Sequence, residues 1–509
     1  MIEYNNKDIE KNEQNPVDFE TAIKHTGYGW YNQKMLACFL PISLTTIMCT
    51  ASPSFIVPAT RCYFQLTPLK EGMMFGAFYV GMMLSSFLWG FLIDTLGRQK
   101  LFFYGLLFTA ILEFCSGLAQ QFWSFIFLKI LCGFISCCPN SLGFTFLSEF
   151  YDKQHRDTIV LCAGGFAAIS FVVQPILAYV LIPLDIDFEF FYGFIAISNW
   201  RIFIIAGSGI MFLSTYLTYF MDESPKFLMA VGRHKEALHV FRKMYSQNTG
   251  NPPQSYPLTS LASEVMSEDR CIKSMPSELF AWDFVKEGWS QIKPLFMKPY
   301  LTLTILGSIL QFMTMLMFTT FRFKLPKMYA TILAAEGLLM SNAETNVISD
   351  CSENVSVLVN PDVYVKNIYI GAGSLILFWL AVYSSQYVDK HYMFLILNII
   401  CGFGIGVFPW TDGIIKLIIA TAYVGITFVN VSLVISMSIS AVPTTLRNVA
   451  FSVIIMFGII GTILGNLVMP VLAEENGELS LMVNVVFHSA CLIVVAVLIK
   501  IKKKILDSH

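Results

Sequence analysis

Twelve long apolar blocks run along this chain, opening at Met35, Met73, Leu101, Ser124, Thr158, Trp200, Tyr300, Lys366, Tyr392, Gly413, Val449 and Leu481. Each is close to the ~20 residues that a helix needs to cross a bilayer. Blocks of that length cannot all be buried in a water-soluble core. A soluble protein carries charge on about a quarter of its residues, whereas here only 13% are charged and 55% are hydrophobic, with a mean hydropathy of +0.63. Lipid is therefore the solvent for most of the surface, and the implied fold class is an all-α membrane protein of twelve transmembrane helices. The first 34 residues are polar and lead into the first block with no small-residue cleavage site, so that block reads as a span and not a removable signal.

A net charge of −2 gives no reason to expect nucleic acid as a partner. The twelve cysteines form no CxxC pair and no Cys/His set with zinc spacing, so no metal is expected. No phosphate loop or catalytic triad occurs in a polar segment, which argues against an enzyme and against a cofactor.

The blocks divide six and six around a polar stretch. This gives an N-terminal segment over 1–34, a first bundle over 35–221, a linker over 222–298, a second bundle over 299–503 and a tail over 504–509. A loop over 321–365 interrupts the second bundle. With both termini in the cytosol, about two dozen of the 33 basic residues fall on the inner side, as the positive-inside rule requires. Arg61, Lys70 and the group Arg322, Lys324, Lys327 and Lys366 are the exceptions on the outer side. Asn354-Val355-Ser356 in the outer loop is a glycosylation sequon on the correct face. Cys62 and Cys351 are then the cysteines in outer loops, where a disulfide can persist.

The most specific motif is Gly90-Phe-Leu-Ile-Asp94-Thr-Leu-Gly97-Arg98-Gln-Lys100, between the second and third spans. Its glycines suit a tight reversal between two helix ends. Glu149 and Arg156 follow the fourth span. Asp222-Glu223-Ser224-Pro225 follows the sixth, and Pro443-Thr444-Thr-Leu-Arg447 precedes the eleventh. This set resembles the major facilitator superfamily, in its sugar-porter-like branch. The resemblance implies two six-helix bundles and a cytosolic gating network of Gly90, Asp94, Gly97, Arg98, Lys100, Glu149, Arg156, Glu223 and Arg447, which latches the halves in the outward-facing state.

Within that branch the chain is most similar to the synaptic vesicle glycoprotein 2 family. The carrying residues are Phe55-Ile-Val-Pro58-Ala, Cys62, Lys70-Glu-Gly72-Met, Tyr79-Val-Gly81-Met-Met, Ser86-Phe-Leu-Trp89-Gly90 and Trp200-Arg201-Ile-Phe203. This implies a multi-pass protein of the plasma membrane or an intracellular vesicle. The second half departs from the pattern: its equivalent loop is reduced to Asp389-Lys390-His391, and Ser440 stands where a glutamate is expected.

Charges inside a span are costly and mark function or pairing. Glu113 and Lys129 lie eight residues either side of a turn centred near Gln121, hence at nearly equal depth, and a buried pair is expected. Arg201 and Lys416, near span ends, are expected to snorkel to the interface. Thr46, Thr50, Gln174, Gln311 and Asn430 are candidate cavity-lining residues. Two functions fit: a monomeric carrier of a small organic solute by alternating access, or a non-transporting membrane protein that uses the same fold as a binding scaffold.

Overall fold

The structure is a computed structural model. It describes residues 17–95, 97–184, 187–190, 195–261, 297, 300–341, 361–385, 387–440, 447–475 and 477–506. Twelve long helices correspond to the twelve apolar blocks. The first bundle comprises α2 (Trp30–Thr60), α3 (Pro68–Thr95), α4 (Arg98–Gly117), α5 (Phe122–Ser148), α6 (Lys153–Leu181) and α7 (Asn199–Tyr219). The second comprises α10 (Tyr300–Ser341), α11 (Pro361–Ser384), α12 (Lys390–Val407), α13 (Gly413–Ser440), α14 (Arg447–Glu475) and α15 (Gly477–Leu506). An even number of spans puts both chain ends on one side, here termed the terminal face.

Helix packing repeats with a period of six spans. In the first bundle α2 packs on α6, α3 on α5, α4 on α5 and α4 on α7; in the second, α10 packs on α14, α11 on α13, α12 on α13 and α12 on α15. The bundles meet where α3 crosses α14 and α6 crosses α11, two contacts that the same repeat interchanges, and where α2 meets α10.

Three features differ from the sequence expectation. The segment before the first span is not merely polar. Its α1 (Phe19–Lys24), capped by Asp18 through the Thr21 amide at 3.3 Å, buries Phe19, Ala22 and Ile23. They pack with Phe241 and Met244 of α9 (His234–Thr249) and with Tyr256, beside the short α8 (Pro225–Ala230). The Tyr256 hydroxyl donates to the Ala22 carbonyl at 2.7 Å, and burial pushes its pKa up, so it stays a donor. Second, the segment between α6 and α7, on the face opposite the termini, pairs two antiparallel strands, β1 (Asp187–Phe190) with β2 (Ile195–Ser198). Third, the loop expected over 321–365 is helical at both described ends, because α10 runs 42 residues to Ser341 with Pro326 inside it and α11 starts at Pro361.

Candidate functional site

At the terminal face, Gly97 takes a left-handed φ of 94°, which turns the chain out of α3 and directs the first amides of α4 outward. Glu223 fills that helix start: its Oε1 accepts from the amides of Arg98 at 3.1 Å and Gln99 at 2.9 Å. The Arg98 guanidinium pairs with Glu149, itself buried, and the Ser224 hydroxyl donates to the other Glu149 oxygen at 2.5 Å. Four of the residues expected in the gating network, Gly97, Arg98, Glu149 and Glu223, are thus brought together, three in the first bundle and Glu223 just after it. Arg156 is not among them. It makes a forked pair with Glu20 of α1 at 3.0 and 3.3 Å and donates to the carbonyls of Ser148 and Tyr151. Lys100 is exposed. Gly90 lies on α3, and the side chains of Asp94 and Arg447 and the sequon at Asn354 lie outside the described residues.

Inside the first bundle, Lys129 of α5 is 0% exposed and Glu113 of α4 is 1% exposed. The Lys129 ammonium donates to Glu113 Oε1 at 2.6 Å and to the Ser52 hydroxyl at 3.0 Å, and Ser52 reaches the same carboxylate oxygen at 3.3 Å. Cys132 Sγ lies 3.6 Å from Glu113 Oε2. The donor atoms of Cys49, Glu113 and Cys132 fall within 4.8 Å of one another. The ammonium already supplies the positive charge that a cation would bring to this cluster.

Between the bundles, the backbones touch. A Cβ on Gly371 of α11 would collide with the carbonyl of Phe171 in α6, and one on Gly72 of α3 would come 2.5 Å from the carbonyl of Asn466 in α14. Only glycine allows either approach, and both lie toward the face opposite the termini. Aromatic rings complete the closure there: Phe75 stacks on Phe323 with centroids 5.7 Å apart, and Phe55 lies 6.4 Å from Tyr364.

Next to this closure is a small cavity of about 20 Å³, enough for about one water. Its walls come from both bundles: Ser54, Phe171 and Pro175 from the first, and Arg322, Asn367 and Val424 from the second. The Arg322 guanidinium lies 4.0 Å from the centroid of the Phe171 ring. Sequence reasoning placed Arg322 in an outer loop; the continuation of α10 places it in the seam. The available signal was the cluster of outer basic residues that broke the positive-inside pattern. The five polar residues expected to line a cavity do not wall this one. Gln174 ties α6 to α2 through the Met48 carbonyl at 2.9 Å, and Thr50 donates to the Ile47 carbonyl at 3.1 Å. Thr46 is half-buried. Gln311 lies against Gly458 of α14, and both polar side-chain atoms of Asn430 are buried without a partner.

Arg201 does not snorkel. It is 0% exposed, donates to the Ser198 hydroxyl and the Ala119 carbonyl, each at 3.2 Å, and lies between the rings of Tyr63 and Trp200. Lys416 lies 3.9 Å from Asp412. The sequence reading also passed over a buried set in the second bundle. There His488 Nδ1 is 2.7 Å from Asn398 Oδ1, and its Nε2 is 3.2 Å from the Tyr423 hydroxyl. Cys62 is disulfide-bonded to a cysteine outside the described residues, where Cys271 and Cys351 both lie.

The family described as "Sugar (and other) transporter" matches residues 20–348. Synaptic vesicle glycoprotein 2B of Rattus norvegicus is 26% identical over 245 residues, which cover 47% of this chain and 35% of that protein. Synaptic vesicle glycoprotein 2A of the same species is 25% identical over 273 residues, covering 52% and 36%. The chain thus matches about a third of the length of these curated relatives. Among solved structures, the xylose transporter XylE from E. coli superposes with a TM-score of 0.61 in a partially occluded inward-open conformation, at 14% identity over 91% of this chain and 98% of that one. Its inward-open conformation gives 0.63 at 14% identity, over 91% and 95%. The architecture is the major facilitator fold, and the chain belongs to the sugar (and other) transporter family.

Proposed function

We propose that the protein is a secondary transporter that moves a small organic solute by rocking its two bundles about the seam. One observation carries this reading: six-span repeats give two bundles whose backbones meet at Gly72 and Gly371 toward one face, with a small cavity between them that Ser54, Arg322 and Asn367 line together with apolar side chains. A two-bundle protein that closes one side of a central site has the parts for alternating access. The membership in a transporter family supports it. The reading places both termini in the cytosol, with the Arg98–Glu149–Glu223 network on that side. It takes the protein as a monomer in a vesicle or surface membrane, glycosylated at Asn354 and crosslinked between Cys62 and Cys351. Purified protein in proteoliposomes, given a panel of labelled neutral and charged solutes, should take up one class in a saturable way. A cysteine label placed in the seam should block that uptake. No saturable uptake of any class overturns the reading.

A second reading, a binding scaffold that does not transport, is favoured by one asymmetry. Where Arg98 meets the Glu149 carboxylate in the first bundle, its counterpart Lys390 donates to the neutral Ser436 hydroxyl at 2.7 Å. A carrier whose halves exchange equivalent contacts gains from two charged latches, and among the described residues the contact Lys390 makes is with a neutral group.

A further inference from the structure

A guanidinium inside a helical membrane bundle is retained only when something compensates its charge. Arg322 lies on α10, near the end of a stretch long and apolar enough to cross a membrane, Tyr300–Phe323. Its neighbours in the cavity wall are aromatic, aliphatic or neutral polar, and among the described residues no carboxylate pairs with it. The Phe171 ring stacked on it offers a cation–π contact, which leaves the guanidinium N–H donors unspent. The contrast with Lys129 and Arg201, the buried cations among the described residues, is direct. Lys129 has Glu113 at 2.6 Å, and Arg201 donates from both terminal nitrogens, to Ser198 and the Ala119 carbonyl, with only its Nε left over. Among the described residues, Arg322 is the cation in the wall of the cavity between the bundles.

The surroundings fit an anion of a particular kind. Ser54 lies six residues before Thr60 and Asn367 six after Pro361, so the site is about 9 Å inside those helix ends at ~1.5 Å per residue. A planar fork of donors matches a carboxylate or a phosphate edge. The walls beyond it, Phe55, Phe171, Ile370 and Val424, are apolar. They suit a hydrocarbon body and give a second phosphate charge nothing to meet.

We infer that Arg322 is the substrate-recognition residue of the seam, and that the solute class is a small monocarboxylate with an apolar body. The inference rests on the reading of the seam as the translocation path. Because the cavity holds about one water in this state, the acid enters when the bundles part at Gly371, and its carboxylate replaces solvent on the guanidinium.

The test uses the full chain and two separate readouts. Thermal stabilisation of detergent-purified protein reports binding, with aliphatic and aromatic monocarboxylates, a neutral hexose, inorganic phosphate and chloride as probes. Uptake of the same probes into proteoliposomes reports transport. Monocarboxylates alone should stabilise the wild type. Arg322→Gln should weaken that binding by about tenfold to a hundredfold, the range for a lost charge-assisted pair. Arg322→Lys should retain part of it, and the melting temperature without ligand confirms that both variants fold. Carboxylate binding that Arg322→Gln weakens, without uptake, keeps Arg322 as the recognition residue and overturns transport, whereas carboxylate binding that Arg322→Gln leaves unchanged overturns the inference. Hexose uptake that Arg322→Gln leaves unchanged, without carboxylate binding, overturns the inference and keeps transport. Equal stabilisation by chloride or phosphate, or none by any acid, also overturns the inference.

Discussion

Lys129 and Glu113 share one hydrogen bond of 2.6 Å in a place where neither could stay charged alone. Removing one partner strands the other, and a broken buried pair costs about 3–5 kcal/mol. Removing both charges leaves neutral groups of similar shape. Lys129→Met should therefore lower the melting temperature more than the double variant Lys129→Met with Glu113→Gln. A double variant as unstable as the single one would show that the pair's charge is not what matters. If the pair also carries protons, transport by the double variant should lose its pH dependence; transport unchanged at every pH would leave only a strut.

The docking of α1 sets two forces against each other. The Arg156–Glu20 pair is partly exposed, at 25% and 42% of the side chains, so it contributes at most about 1 kcal/mol. Phe19 is 1% exposed among Phe241 and its neighbours, and truncating such a ring costs about 3–5 kcal/mol. Phe19→Ala should expose the segment to protease, and Glu20→Gln should barely change the cleavage rate.

Gly371 tests the closed face. Gly371→Val places carbon where the Phe171 carbonyl now lies, so the bundles must separate on that side. Cysteine labels introduced beside Ser54 should react faster in this variant than in wild type. Unchanged rates would mean that the helices shift past each other without opening.

The disulfide can be mapped directly. If both termini are cytosolic, peptides of the unreduced protein should show Cys62 joined to Cys351. Linkage of Cys62 to Cys271 in the linker would reverse the assigned orientation of one loop.

The positions of the spans were readable because a bilayer demands long apolar helices, and hydropathy reports that demand residue by residue. The depth match of Glu113 and Lys129 needed only the position of one turn, since helix rise is fixed. Arg322 was not readable in the same way. Hydropathy falls after Thr320, yet the helix runs on through Pro326, because Phe321, Phe323, Leu325 and Tyr329 stay buried against other helices. Arg201 failed for a related reason: snorkelling assumes open interface beside a span end, whereas Tyr63, Trp200 and the Ala119 carbonyl fill that space. The burial of α1 depends on Phe241 and Tyr256, more than two hundred residues away, a distance that local pattern does not bridge. Thr46, Thr50, Gln174, Gln311 and Asn430 show the limit for polar residues, since sequence gives their span but not the neighbour each faces.

The length of α10 has a mechanical side. At ~1.5 Å per residue its 42 residues make a rod of about 63 Å, roughly twice the ~30 Å hydrocarbon core. Pro326 has no amide hydrogen, so the carbonyl of Arg322, four residues earlier, loses its helical donor. The rod is therefore most compliant at the level of the guanidinium. A lateral load on its protruding end, from an antibody or a neighbouring protein, would act as torque about that point. The fold thus provides a lever whose fulcrum coincides with the cation in the seam.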